Sequence, residues 1–207
     1  MGNPLRSAAL PETWTGHERH IRTSALGLLP TLKLVFVVRS PDAARLIADP
    51  MRRAILNLLR RRALTEAELA ENLGLTDATV NYHLRLLRKS GFITVSRTEP
   101  EEHGILQKFY SPSAFLYLPD VRALPKEAAR YYYPVNVERI RGVLSAIDDP
   151  LRRLSKRGAE VDELAEELAE ELVNVAQRYR NTEVEQGGGE ALVLKLYAEA
   201  LRRLLKE

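Results

Sequence analysis

Between residues 76 and 89 the segment TDATVNYHLRLLRK sets chemistry-bearing side chains at helical spacing. Ala78, Asn81, Tyr82, Arg85 and Lys89 follow one another at intervals of one turn, while Val80, His83, Leu84 and Leu87 mark the opposite, inward stripe. An asparagine amide can pair bidentately with adenine, and an arginine guanidinium can read guanine or hold phosphate. An alanine lets a thymine methyl approach, and a tyrosine hydroxyl can donate to phosphate. That chemistry is recognition of double-stranded DNA. The competing reading is an ordinary solvated helix face, which surface polarity alone does not exclude. Thr76 and Asp77 open the same helix and are counted with the face. Arg97 and Lys108 stand where a following hairpin would carry them toward a neighbouring minor groove or backbone, with Glu99, Glu101 and Glu102 opposing the approach electrostatically. The candidate DNA-binding set is therefore Thr76, Asp77, Ala78, Asn81, Tyr82, Arg85, Lys89, Arg97 and Lys108.

Other chemistries find little to stand on. The chain has no cysteine, which removes disulfides, thiolate zinc sites, iron-sulfur ligation and a cysteine nucleophile together. His17 and His20 flank Glu18 and Arg19 with the wrong spacing for a zinc-binding H-E-x-x-H helix. Tyr131, Tyr132 and Tyr133 could stack on bases, but a hinge packed against the core suits them as well. Gly187 to Gly189 reads as a bare linker, without the strand, lysine and hydroxyl of a phosphate-binding loop. No Ser-His-Asp grouping emerges, so no catalytic residue, metal or cofactor is expected and the chain is not read as an enzyme.

The elements that must position the DNA-facing set are marked by caps. Ser40-Pro41 and Asp49-Pro50 each pair a capping residue with a proline at the first helical position, predicting helices to Ala48 and to about Arg62. Thr65 with Glu68 fits a capping box, and the helix it opens stops at Gly74. After a turn of only Gly74 and Leu75, Thr76 caps the next helix, which Gly91 closes. Helices joined so tightly cross steeply, which is a helix-turn-helix signature. Phe92 to Ser96 reads as a strand, Thr98 to Gly104 as a polar turn and Leu106 to Tyr110 as the returning strand, so a wing follows. Arg52 and Arg53 at the start of the helix opened by Asp49-Pro50, with Arg60, Arg61 and Arg62 at its end, could contact phosphate or remain solvated, and the second cluster also suits the negative end of its own helix.

Upstream, residues 1–24 read as irregular, and LKLVFVV from Leu32 to Val38 as a strand. Beyond Pro119 the pattern is helical. Val161, Ala165, Leu168, Leu172, Val175 and Tyr179 form a heptad-like seam in an acidic helix, and Ala191 to Lys206 carries a second apolar face. The expected fold is mainly α with a small β-hairpin wing (α+β): a winged helix-turn-helix plus a C-terminal helical region. The expected division is an N-terminal extension over 1–40, a DNA-binding domain over 41–118 and a helical dimerisation or effector region over 119–207.

With 207 residues, 45% hydrophobic and 29% charged, the chain can bury one sizeable core and a smaller one. Its net charge is only +3, with the basic excess in the first half. The apolar stretch from Ala25 to Val38 is interrupted by Pro30 and Lys33 and is shorter than the roughly 20 residues a membrane helix needs. No signal-peptide pattern precedes it, so a cytoplasmic chain is expected. So modest a positive charge predicts weak binding by one copy and the need for two, hence a homodimer.

The segment Asp49 to Arg97 resembles the ArsR-type winged-helix regulators, through its DP-x-R-x-x-I-L opening and its V-N-Y-H-L-x-x-L-x-x-x-G-F-I close. Archaeal members of that group carry helical C-terminal extensions of this kind. The resemblance implies a dimeric transcription regulator, usually a repressor, whose base-contacting positions fall on Asp77, Ala78, Asn81 and Tyr82. Asp77 departs from the family's uncharged polar residue, and a carboxylate there suits only an acceptor role toward cytosine. The family's metal-sensing cysteines are missing from TEAELAENL, and no histidine follows His103 to build the alternative site. A cleft between the winged domain and the C-terminal helices could seat a small-molecule effector that the sequence does not name. Two other functions fit the same pattern: a winged-helix protein-interaction module of a larger assembly, and an architectural DNA binder indifferent to sequence.

Overall fold

The computed structural model describes residues 31–100, 106–126 and 161–204. Strand β1 (Thr31–Val38) leads into helices α1 (Pro41–Ala48), α2 (Pro50–Arg61), α3 (Glu66–Leu73) and α4 (Asp77–Lys89). The hairpin β2 (Ile93–Pro100) and β3 (Leu106–Pro112) follows, then β4 (Ala114–Pro119) and a short 3-10 turn. After the undescribed interval come α5 (Val161–Ala176), β5 (Glu183–Glu185) and α6 (Glu190–Leu204). This is an α+β winged helix-turn-helix with further helices and a second sheet.

Local chemistry sets the helix boundaries. The Ser40 Oγ accepts from the Ala43 amide, and the Asp49 carboxylate accepts from the Arg52 amide at 2.9 Å, each just before a proline that suits the first turn. Thr65 and Glu68 form a reciprocal capping box, the Thr65 amide donating to Glu68 Oε2 at 2.8 Å and the Glu68 amide to Thr65 Oγ1 at 3.2 Å. Gly74 ends α3 at φ +63°, a conformation a side chain would strain. Thr76 then caps α4 through the Thr79 amide.

The winged-helix core gathers Ile55, Leu59, Leu69, Val80, Leu84, Leu87 and Phe92, all fully or almost fully buried. Fully burying one such side chain contributes about 1.5–3 kcal/mol, enough that these stripes fix the attitude of α4. The wing strands pair antiparallel from Ile93 opposite Pro112 to Pro100 opposite Leu106, with a bulge between Val95 and Arg97. They run longer than the sequence reading, because Thr98 to Pro100 continue the ladder rather than turning; residues 101–105 lie outside the described ones.

Behind the winged helix lies a second, three-stranded sheet in the order β4-β1-β5. β1 runs parallel to β4 from Lys33 opposite Ala114 to Val38 opposite Pro119, and antiparallel to β5. Its alternation divides two cores. Phe36 and Val38 pack into the winged helix, whereas Val35 and Val37 face α5 and α6. Leu168, Leu172 and Val175 of the heptad-like seam meet Val35, Leu116 and Leu118 of the sheet and Leu196, Tyr197 and Leu201 of α6. That part of the seam is thus filled within the chain; the side chains of Val161 and Ala165 lie outside the described residues.

The triple glycine is a packed turn, which corrects its reading as a bare linker. A Cβ at Gly189 would stand 2.5 Å from the Phe115 ring, and one at Gly187, where φ is +89°, 3.2 Å from the Arg61 carbonyl oxygen. Close approach to backbone and ring leaves room only for hydrogen at these positions. Just before them, the buried Gln186 donates to the Leu59 carbonyl at the end of α2 and accepts from the Ser111 hydroxyl at 3.4 Å.

Candidate nucleic-acid interface

The surface of α4 follows from what it buries. Val80, Leu84 and Leu87 are 0%, 2% and 0% exposed, so the positions between them must face away from the core. Thr76, Asp77, Ala78, Arg85 and Lys89 are exposed, and Tyr82 is 60% exposed with its ring edge-on to His83 at 5.4 Å. Tyr82, Arg85, Leu86, Arg88 and Lys89 line an open cleft of about 620 Å³. Among the described residues, Arg85, Arg88 and Lys89 have no carboxylate partner, so their charge is available to an anionic ligand. His83, placed inward by the sequence reading, is half-buried, and its Nδ1 is a buried atom without a hydrogen-bond partner.

Asn81 differs from its neighbours. It is half-buried, and its Nδ2 donates to Glu66 Oε2 of α3 at 2.7 Å. The amide keeps a second N–H and its carbonyl oxygen for a base edge, but its orientation is tied to a carboxylate across the turn. Glu66 is the neighbour of the candidate face that the sequence reading missed. It sits fifteen positions upstream, and only the steep crossing of α3 and α4 brings the pair together. Close by, burial and the Glu66 charge push the Tyr110 phenol up, opposed by Arg88, so that the hydroxyl stays protonated at neutral pH.

On the wing, Arg97 and Lys108 are exposed as the DNA-facing reading requires, but Arg97 is held in place. Its guanidinium lies 3.8 Å above the Phe109 ring, and its Nε donates to Glu99 Oε1 at 2.7 Å. Lys108 stands opposite Thr98 in the ladder. Glu101, Glu102 and His103 lie outside the described residues, as do His17, His20 and Tyr131 to Tyr133. Three of the five arginines flanking α2 are drawn into structure: Arg52 pairs with Asp49 at 3.6 Å, Arg60 covers the Phe115 ring at 4.8 Å, and Arg62 pairs with Glu68 at 2.8 Å. Among the described residues no group of three or more His, Asp or Glu side chains could hold a metal ion.

The arrangement is a rigid helix presenting hydroxyl, amide and guanidinium groups, with a two-stranded wing beside it. Residues 47–96 match the helix-turn-helix domain family. That domain takes in the whole of α4 and the beginning of the wing. Among solved structures, the chain is similar to the transcriptional regulator HlyU of Vibrio vulnificus CMCP6, at 23% identity over 42% of this chain and 74% of that one, with a TM-score of 0.29. It is similar to Rv0081 of M. tuberculosis at 24% identity over 56% and 88% of the two chains, TM-score 0.30. Bacillus subtilis PadR, solved in complex with operator DNA, shares 18% identity over 74% of this chain and 91% of its own, TM-score 0.30. Comparison with curated proteins finds no match. No described helix is long and apolar enough to cross a membrane.

Proposed function

We propose that this chain is a sequence-specific DNA-binding transcription regulator, a repressor acting as a homodimer, with α4 in the major groove. The observation that carries the reading is the exposed strip of Ala78, Tyr82, Arg85 and Lys89 on a helix whose back is sealed by Val80, Leu84 and Leu87 within a helix-turn-helix domain. Residues 41–118 are the DNA-binding domain, and 119–207 supply dimerisation and effector response. Because Leu168, Leu172 and Val175 are filled within the chain, the dimer contact falls on surfaces away from them. Thr76, Asp77, Ala78, Asn81, Tyr82, Arg85 and Lys89 face the groove, while Arg97 and Lys108 reach phosphate or the adjacent minor groove from the wing. Two copies place two recognition helices in successive major grooves, so the operator is an inverted repeat. No catalysis, metal or cofactor is assigned.

The test is a titration of labelled duplex with the full chain at several salt concentrations, comparing wild type with Asn81→Ala and Arg85→Ala. Affinity falls with salt because phosphate contacts release counterions. Each substitution lowers affinity for the preferred sequence more than for random duplex. Unchanged affinity and preference in both variants would show that this face does not read DNA.

A further inference from the structure

Strand β1 and the turn after α5 enclose a cleft of about 280 Å³. Lys33, Val35, Val37 and Arg39 form one wall, and Gln177 and Arg180 the other. The lining holds three cations and no carboxylate. Arg39 is partly compensated from behind by the buried Asp120 at 3.3 Å. Lys33 and Arg180 have no acidic partner among the described residues. Glu183, the cross-strand neighbour of Lys33, is turned to the Thr31 hydroxyl, which donates to it at 2.9 Å. Like charges gathered in a concavity over an apolar floor repel one another, and an anion relieves them. The volume is just below the range of drug-sized ligand sites, roughly 300–1,000 Å³, which limits the occupant to a small molecule.

The same cleft adjoins the winged-helix core through Phe36. Phe36 is part of its lining, and the Phe36 ring meets Phe92 edge-on at 5.8 Å and Tyr117 at 6.0 Å. Phe92 lies three residues beyond the end of α4: its amide donates to the Leu87 carbonyl at 2.9 Å, and its own carbonyl accepts from the Ser113 amide at 2.9 Å and from the Tyr117 hydroxyl. A displacement of Phe36 therefore bears on the residue that anchors the C-terminal end of α4, by direct packing.

We propose that this cleft binds a small organic anion, its carboxylate or phosphate held by Lys33, Arg180 and Gln177 and its apolar body on Val35 and Val37, and that occupancy alters DNA affinity through Phe36 and Phe92. The binding stands on the cleft alone; its effect on DNA rests on the function proposed above. The probes are butyrate, inorganic phosphate and uncharged butyramide, titrated by calorimetry into the full chain at constant ionic strength. Butyrate or phosphate binds saturably and butyramide does not. The double substitution Lys33→Gln/Arg180→Gln weakens binding about tenfold or more, corresponding to about 1.4 kcal/mol or more, while Lys195→Gln on α6 leaves it unchanged. Equal binding by the double variant, or by chloride at the same ionic strength, overturns the site. In a second arm, saturating probe shifts duplex affinity in wild type but not in Phe92→Leu, a position outside the cleft lining, which still binds the probe. Probe binding with no shift in DNA affinity overturns the coupling. A chain that binds the probe but no DNA overturns the function proposed above and leaves the site intact.

Discussion

The hydrogen bond from Asn81 to Glu66 makes a quantitative demand on DNA recognition. The bond is 2.7 Å long and charge-assisted, a class contributing about 1.5–3 kcal/mol when well buried. Asn81 is half-exposed, so solvent screening reduces this to about 1 kcal/mol. Where the N–H that donates to adenine N7 is the one now held by Glu66, Asn81 swings its amide away to pair with the N6/N7 edge and loses that amount on binding. Replacing Glu66 with alanine removes the loss before binding begins, and affinity for the preferred duplex rises about fivefold. The diagnostic quantity is the double-mutant cycle. A bidentate base contact is worth about 1–3 kcal/mol. Asn81→Ala should express all of it in the Glu66→Ala background and about 1 kcal/mol less in wild type. The coupling of about 1 kcal/mol exceeds the roughly 0.3–0.5 kcal/mol within which independent sites add. Fluorescence anisotropy on all four proteins at one salt concentration measures it, with circular dichroism confirming that each is folded. Additive effects, or weaker binding by Glu66→Ala, would refute the idea that Asn81 exchanges Glu66 for a base.

Further expectations follow from packing and caps. Gly189→Ala drives a methyl into the Phe115 ring and destabilises the fold by about 1–3 kcal/mol, read as a lower urea midpoint with unchanged slope. Gln186→Ala leaves the buried Leu59 carbonyl without its donor and costs about 1–3 kcal/mol in the same assay. Desolvation raises the Glu68 carboxyl, but bonds from Arg62 and Thr65 outweigh it and hold the group below the ordinary carboxylate range. A depressed folded value means that its stabilisation is present above the unfolded value, about 4.3, and is lost as pH falls through the folded one. Unfolding followed from pH 7 down to pH 3 should therefore show a smaller acid-induced loss of stability in Glu68→Gln than in wild type.

The helices were legible because their ends are written in short-range chemistry. Ser40-Pro41, Asp49-Pro50, the Thr65/Glu68 box and Thr76 all cap where their residue types require, and Gly74 takes the left-handed turn. The wing followed from alternation on either side of a polar turn. β4 escaped notice because AFLYLP is buried on both faces and shows no alternation, and because its partner β1 lies some eighty residues upstream. β5 is too short for any periodic signal. The role of Gly189 depends on Phe115, far from it in sequence, so composition alone resembles a linker. The outward face of α4 was readable from its period, but the tether on Asn81 was not, since Glu66 belongs to a different helix.

The central claim, that α4 reads base edges from its exposed face, is tested most directly by selecting the full chain's preferred sequences from a random duplex pool. Selection is repeated with Asn81→Ala and Arg85→Ala. The wild type should enrich inverted repeats whose half-sites lie about one helical turn, roughly 10–10.5 base pairs, apart or at multiples of it. Each variant should relax preference at its own position within the half-site by about 1–3 kcal/mol. Failure to enrich any sequence, or an identical consensus for wild type and both variants, would contradict it.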